Sequence, residues 1–370
     1  MTLRAAYLDW NATAPLRPEA AAAMTDALAR FGNPSSVHRF GRAARRALER
    51  ARAQVAGLAG AAPAEIVFTS GGTEANQLAL RGVHGRRVMV SAIEHDSVRQ
   101  AVPDAAVIPV THRGVADLDA LDRLLAAETR PALVSLMLAN NETGILQPVA
   151  EAARIAHARG ALLHCDAVQG AGKLPLERAR LGADLVTLSA HKLGGPPGVG
   201  ALVVTPEVPL AAVQTGGGQE RGRRAGTENL PGIVGFGAAC AVAGRLVDSE
   251  AVAMLRDAAQ RQLTAIAPDA LVYGADVTRL PNTLSIAMPG VAASTQVMAL
   301  DLAGVMVSAG AACSSGKVRR SHVLDAMGVP ADEAECAIRI SLGWSTTAAD
   351  IDQLVEAWGA LYARTRASAA

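Results

Sequence analysis

Cysteines are few in this chain, and they are scattered. Cys165, Cys240, Cys313 and Cys336 are the four among 370 residues, with no CxxC pair and no clustering with histidine. That pattern argues against a disulfide framework and a structural zinc site, and it suits a reducing cytoplasm. Net charge is also nearly missing. The 35 basic and 34 acidic side chains leave +1, so nothing electrostatic points to a direct nucleic acid partner or a membrane surface. No apolar run reaches the ~18 uncharged residues that a membrane span needs. The N-terminal stretch MTLRAAYLDWNATAPLRPEA is acidic by position 9 and lacks the apolar centre of a signal peptide. A phosphate-loop lysine and a GxGxxG turn after a first strand are both absent, which removes the usual readings for a nucleotide-binding α/β protein.

The length suggests two domains, or one large domain with a smaller appendage. From about residue 41 to 254, short apolar runs alternate with alanine-rich amphipathic segments. GRAARRALERARAQVAGLAG places Ala44, Ala47, Leu48, Ala51, Val55 and Leu58 on one helical face. Strands are expected near 66–68, 88–90, 133–138, 161–164, 184–188 and 201–204. Near-continuously apolar strands alternating with helices predict an α/β fold, a large, mostly parallel sheet with helices on both faces. After about 250 the pattern becomes that of a smaller α+β domain. The expected division is 15–254 for the large domain, with 1–14 and 255–370 forming the small one.

Ligands of such sheets sit beyond the carboxyl ends of the strands, and the polar residues of this chain gather there. The first expected strand is followed by Ser70-Gly71-Gly72-Thr73 opening a helix, which suits an anion at free N–H groups or simply a tight turn with a threonine cap. His95 follows the second strand, as a proton carrier against a planar ring or as an ordinary loop histidine. Asn140 and Asn141 follow the third. Asp166 and Gln169 follow the fourth; the carboxylate can hold a pyridine nitrogen protonated or cap the next helix. Ser189, His191 and Lys192, in SAHKLGGPPG, follow the fifth. A lysine held at a strand end is where pyridoxal phosphate enzymes form their Schiff base.

These segments, with YLDWNATAP (7–15), FGNPSSVHRFG (31–41), EIVFTSGGTEANQLAL (65–80), NNETG (140–144), GGGQERGRRAGTENLPGIVG (216–235), SAGAACSSG (308–316) and IRISLG (338–343), resemble the cysteine desulfurases of the NifS/IscS type. That is a class V aminotransferase group with the fold-type I pyridoxal phosphate (PLP) transferase architecture. The resemblance runs nearly end to end. It implies PLP as cofactor and Lys192 as the Schiff-base lysine. Asp166 and Gln169 would contact the ring nitrogen and phenolic oxygen, and His95 would stack on the ring and act as acid or base. Gly72, Thr73, Ser189 and His191 would hold the phosphate, joined by Thr227 from the partner of a homodimer. Asn141, rather than its neighbour Asn140, would contact cofactor and substrate, and Arg339 would bind the substrate carboxylate. An arginine between Ile338 and Ile340 otherwise needs a buried partner.

One cysteine narrows the reaction. Cys165, Cys240 and Cys336 lie in apolar or small-residue segments and read as packing residues. Cys313 lies in a Gly/Ser-rich stretch followed by Lys317, Arg319 and Arg320, surroundings that favour a thiolate. By the resemblance it is the nucleophile that takes sulfur from L-cysteine, leaving L-alanine and a persulfide. No resident metal is expected, although Cys313 could ligate an iron–sulfur cluster transiently. The persulfide would pass to a sulfur-acceptor protein, such as an iron–sulfur scaffold or a tRNA-thiolation enzyme. The basic stretch after the cysteine departs from the family and leaves that acceptor open. The competing readings are a selenocysteine lyase or another class V lyase or aminotransferase, and a non-catalytic scaffold in a sulfur-transfer complex.

Overall fold

The apolar runs between residues 66 and 204 assemble into one sheet because each has two faces to bury. Adjacent residues go to opposite sides: Val67, Leu133 and Leu185 pack with Leu78, Val90 and Leu202, while Phe68, Val134 and Val186 pack with Leu48, Val55 and Phe236. This period of two, apolar on both faces, is the signature of a sheet covered by helices on each side. The computed structural model describes residues 5–243, 249–310 and 320–367; Cys313, Lys317 and Arg319 lie outside them.

In chain order the strands are β1 (Ala6–Tyr7), β2 (Ile66–Thr69), β3 (Arg87–Ser91), β4 (Ala106–Ile108), β5 (Ala132–Ser135), β6 (Leu162–Asp166), β7 (Leu185–Ser189), β8 (Gly200–Val204), β9 (Leu271–Tyr273), β10 (Thr283–Ala287), β11 (Val305–Met306), β12 (Ser308–Ala309) and β13 (Ala337–Ser341). The large sheet has the order β2-β8-β7-β6-β5-β3-β4. Strands β3 to β7 are parallel, and β8 runs antiparallel to both β7 and β2. Strand β2 therefore runs in the common sense, and the carboxyl ends of β2, β3, β5, β6 and β7 share one edge. The order also reverses at β3, whose neighbours are β4 and β5, the kind of switch point where such sheets bind ligands.

Two local features fix that edge. Gly200 of β8 lies opposite Thr69, and a Cβ there would sit 2.5 Å from the Gly71 carbonyl carbon. Only glycine lets the turn after β2 lie so close. Helix Arg39–Ala59 brings Arg52 against the turn at Gln219–Gly222, where both guanidinium nitrogens meet Glu220 at 2.7 Å. Glu220 and Arg221 hold positive φ angles of 46° and 58°. Such strain persists only where the surroundings over-determine it, and the buried pair does so here.

The smaller sheet, β12-β13-β10-β9, is antiparallel. Helices Ser249–Ile266, Ala293–Leu302 and Ala348–Ala367 supply its apolar cover, centred on the buried Trp358 and Leu354. The N-terminal arm links the two sheets. Its β1 pairs with β11, Leu8 accepts from the Ser341 amide, and the Ala14 and Arg17 amides donate to His191 and Gly194. Among the described residues no helix is long and apolar enough to cross a membrane.

Candidate active site

The shared edge of the large sheet, the N-terminal arm and β12 and β13 of the small sheet enclose a cleft of about 370 Å³. Gly72, Thr73, His95, Asn141, Asp166, Gln169, Ser189, His191, Lys192 and Arg339 all line it. The structure thus brings together all the expected cofactor and substrate residues except two. Thr227 lines a separate recess with Glu220, Arg224 and Asn229. Cys313 is not among the described residues, but Ser308, five positions before it, lines the cleft.

Lys192 ends a short turn after β7, and its amine donates to the Asn11 and Ala12 carbonyls, each at 2.7 Å. Burial and the nearby Arg339 guanidinium lower its pKa to about 8, against the opposing pull of Asp9 and Asp166. A substantial fraction of this amine is therefore neutral and nucleophilic close to physiological pH. His191 beside it is held neutral, its pKa lowered to about 4 by burial and then by Lys192.

Asp166 closes β6. Its Oδ1 accepts from the Val168 amide at 3.0 Å and its Oδ2 from the Asn76 amide group at 2.8 Å. The same Asn76 nitrogen donates to Ser97 Oγ at 2.9 Å, and Ser97 Oγ lies 2.8 Å from His95 Nδ1. The Ser97 amide also donates to that nitrogen, so in the neutral ring the proton sits on Nε2. A continuous hydrogen-bonded chain therefore joins the carboxylate to the histidine. Asn76 and Ser97 carry no signal in sequence beyond lying near motif residues.

The two asparagines after β5 divide the work. Asn140 is consumed by its turn, accepting from the Glu142 and Thr143 amides and donating to Ile93. Asn141 is the one that lines the cleft. Arg339 of β13 donates to the Asn141 carbonyl at 3.1 Å and pairs with Asp9 at 2.7 Å. Its side chain is 5% exposed, yet its Nε has no hydrogen-bond partner among the described residues. An unpaired buried donor is costly; this nitrogen is enclosed by protein, while the Arg339 side chain itself lines the cleft.

Asn11 is the residue that sequence reasoning missed most plainly. It is 1% exposed, and all its polar groups are engaged. Its amide donates to Ser341 Oγ, its Nδ2 to Thr283 Oγ1 and the Asn141 carbonyl, and its Oδ1 accepts from Asn282 and Lys173. It is the joint between the arm, the small sheet and the Lys192 turn.

The donor set fits pyridoxal phosphate. Helix Gly72–Gly82 begins at the cleft, and its first N–H groups with Ser189 and His191 form an anion cradle. A Cβ at Gly72 would lie 3.0 Å from Val168 and 3.4 Å from Ser189, narrowing that cradle. Asp166 offers a carboxylate of the kind that a ring nitrogen would need, and Lys192 an amine. Among the described residues no group of His, Cys, Asp and Glu side chains could hold a metal ion.

The other cysteines are packing residues. Cys165 and Cys240 are buried, and burial raises both thiols, well above the usual range for Cys165. Cys336 is buried with its thiol donating to the Asp332 carbonyl.

Residues 6–354 match the sequence profile of the aminotransferase class-V family. A cysteine desulfurase of Cereibacter sphaeroides is 48% identical over 95% of this chain and 94% of its own. The cysteine desulfurase IscS of Dictyoglomus turgidum is 40% identical over 95% of this chain and 93% of its own. A NifS-like protein of Rickettsia africae has the same fold with a TM-score of 0.91 and 36% identity, covering 97% of this chain and 99% of its own.

Proposed function

Because the chain belongs to the class-V aminotransferase family and within it to the cysteine desulfurases, we propose that it moves sulfur from L-cysteine onto Cys313. The observation that carries this reading is the single cleft in which Lys192, Asp166 and Arg339 converge. Pyridoxal phosphate held by Lys192, Asp166, Gln169 and the Gly72–Thr73 cradle would supply an electron sink for the pair left at a deprotonated Cα.

The protein's own groups do the rest. Arg339 binds the substrate carboxylate, and Asn141 flanks it. Lys192, with its depressed pKa, takes the Cα proton. His95, whose neutral ring carries its proton on Nε2, serves the substrate as acid or base. The Cys313 thiolate attacks the substrate sulfur, so that the Cβ–S bond breaks as an S–S bond forms. L-Cysteine and the thiol become L-alanine and the Cys313 persulfide, with no outside oxidant. The persulfide then passes to an acceptor protein, such as an iron–sulfur scaffold or a tRNA-thiolation enzyme, in the cytoplasm.

We also read the enzyme as a homodimer. Thr227 stands outside the cleft of its own chain, in a recess walled by the Gly/Arg-rich segment, and a partner's copy would complete the phosphate cradle. The division into 15–254 and 1–14 with 255–370 draws support from two large apolar clusters, one in each part, although a smaller one joins Ile93, Met137 and Ile145 to Tyr273, Leu324 and Met327 across it. Sulfide and alanine release from L-cysteine with a thiol reductant, in wild type and Cys313→Ala, tests the reading. Release of both from wild type alone is expected. Equal release from the variant would remove Cys313 from the reaction, and selenocysteine activity retained without the thiol would mark relaxed specificity. A monomer by sedimentation that still holds cofactor fully would overturn the dimer.

A further inference from the structure

A second lysine lies beside the cleft with no place in the chemistry above. Lys173 follows β6 by a turn and lines a small cavity that shares Lys192 with the main cleft. Its amine makes two hydrogen bonds, to Gln169 Oε1 at 2.7 Å and Asn11 Oδ1 at 2.8 Å. Both acceptors are amide oxygens. Among the described residues no carboxylate pairs with it, and the charged groups that act on it are Lys192 and Arg339.

The consequence falls on Gln169. With its oxygen claimed by Lys173, the carboxamide has one orientation: its NH₂ donates to the Asn11 carbonyl at 3.0 Å. One N–H remains, on a side chain that lines the cleft. The Asn11 carbonyl is also an acceptor for Lys192. A side-chain amide can ordinarily present either end; here the lysine decides.

We infer that Lys173 is a positioning residue, which locks the Gln169 carboxamide with its NH₂ toward the cleft and ties it through Asn11 to the Lys192 amine. This rests on reading the cleft as a pyridoxal phosphate site, where the donor would meet the phenolic oxygen. Released, the amide could turn its oxygen toward that oxygen and repel it. Burial, then Lys192 and Arg339, lower its pKa well below the ordinary lysine value. A permanent charge there would stand against two other cations.

Two measurements test it. In the cofactor-free protein, competitive reductive methylation across pH, read by mass spectrometry, should give Lys173 a midpoint well below that of an exposed lysine. A midpoint near that of an exposed lysine, about 10.4, would overturn the enclosed placement of this amine between Gln169 and Asn11. In the cofactor-loaded protein, Lys173→Met should shift the visible absorbance maximum and move its pH midpoint by at least about half a unit. The same variant should lower kcat about tenfold, with little change in KM. Lys173→Gln keeps a neutral NH₂ donor one bond shorter and should recover at least half of the spectral shift. A residue that merely fills space would leave spectrum and pH midpoint unmoved in Lys173→Met, and that result would end the proposal. If wild type takes up no cofactor, the reading of the cleft fails instead, and the methylation midpoint still decides the placement of Lys173.

Discussion

On the large-sheet side of the cleft, Asp166, Asn76, Ser97 and His95 form a continuous chain, and Gln169, Lys173, Asn11 and Lys192 form another. On the small-sheet side, Arg339 has one ion pair, with Asp9, one bond to the Asn141 carbonyl and, among the described residues, a buried Nε without a partner. The first wall is preorganised, with the groups that would touch a cofactor already oriented by neighbours. The second is held by fewer partners, all on one guanidinium. Preorganisation lowers the cost of stabilising charge that develops in a fixed place. A sparsely held guanidinium lining the cleft suits a ligand that arrives and leaves at each turnover. The two walls are thus matched to a resident group and to a transient one.

The sharpest way to break this contrast is Arg339→Lys. An ammonium keeps the charge but loses the planar fork, so bidentate carboxylate binding is lost. The expected outcome is a roughly 100-fold fall in kcat/KM for L-cysteine, mostly in KM. Steady-state sulfide release checks it; an unchanged KM would move the carboxylate site elsewhere.

The large-sheet wall makes a pH prediction. The folded pKa of Lys192, about 8, lies below the unfolded value near 10.4. Below about pH 8 both states hold the proton, and the folded apo protein carries the full cost of the enclosed ammonium. Between these values the unfolded chain binds more protons, so the contribution of this site to stability rises with pH, by at most about 1.4 kcal/mol per unit. Denaturant unfolding of cofactor-free wild type and Lys192→Met, from pH 7 to 10, should show wild type gaining on the variant as pH rises. A constant difference would mean that Lys192 titrates as an ordinary exposed amine.

Much of the first wall was legible in the sequence because strand ends are local features. A short apolar run marks the strand, its last residue marks the edge, and Asp166, Ser189 and Lys192 follow. Asn141 and Arg339 came through the resemblance, and the structure adds a physical reason for each. The supporting residues were not legible. Asn11 meets Lys173 across 162 positions and Lys192 across 181, and Asn76 meets Asp166 across 90. Periodicity reports which face of an element is buried, but not which distant element will cover it. The Arg52–Glu220 pair, 168 positions apart, is hidden for the same reason.

Asn76→Ala tests whether these supporting residues matter in their own right. It removes the link between Asp166 Oδ2 and Ser97 Oγ and leaves Asp166 with only the Val168 amide. The expected loss is about tenfold in kcat, with KM little affected, because the oriented histidine and carboxylate act on bound substrate. Unchanged kcat would mean that the chain is structural, and that the first wall holds its geometry without it.

The smallest effect expected is at Cys240, and it separates the cysteines that pack from the one that reacts. Cys240 lies in helix Leu230–Ala243 among buried small residues, and burial raises its thiol pKa. Trimming it to alanine removes one sulfur from a packed interior, for about 1 kcal/mol of stability. Sulfide release should stay at the wild-type rate, because Cys240 packs in the large apolar core and does not line the cleft. Iodoacetamide applied to the native protein should leave Cys165, Cys240 and Cys336 unmodified until denaturant is added, while Cys313 is alkylated and activity falls in step. Alkylation of Cys240 in the native state would mean that this helix opens, and activity lost with Cys313 unmodified would turn the search for the nucleophile to another residue.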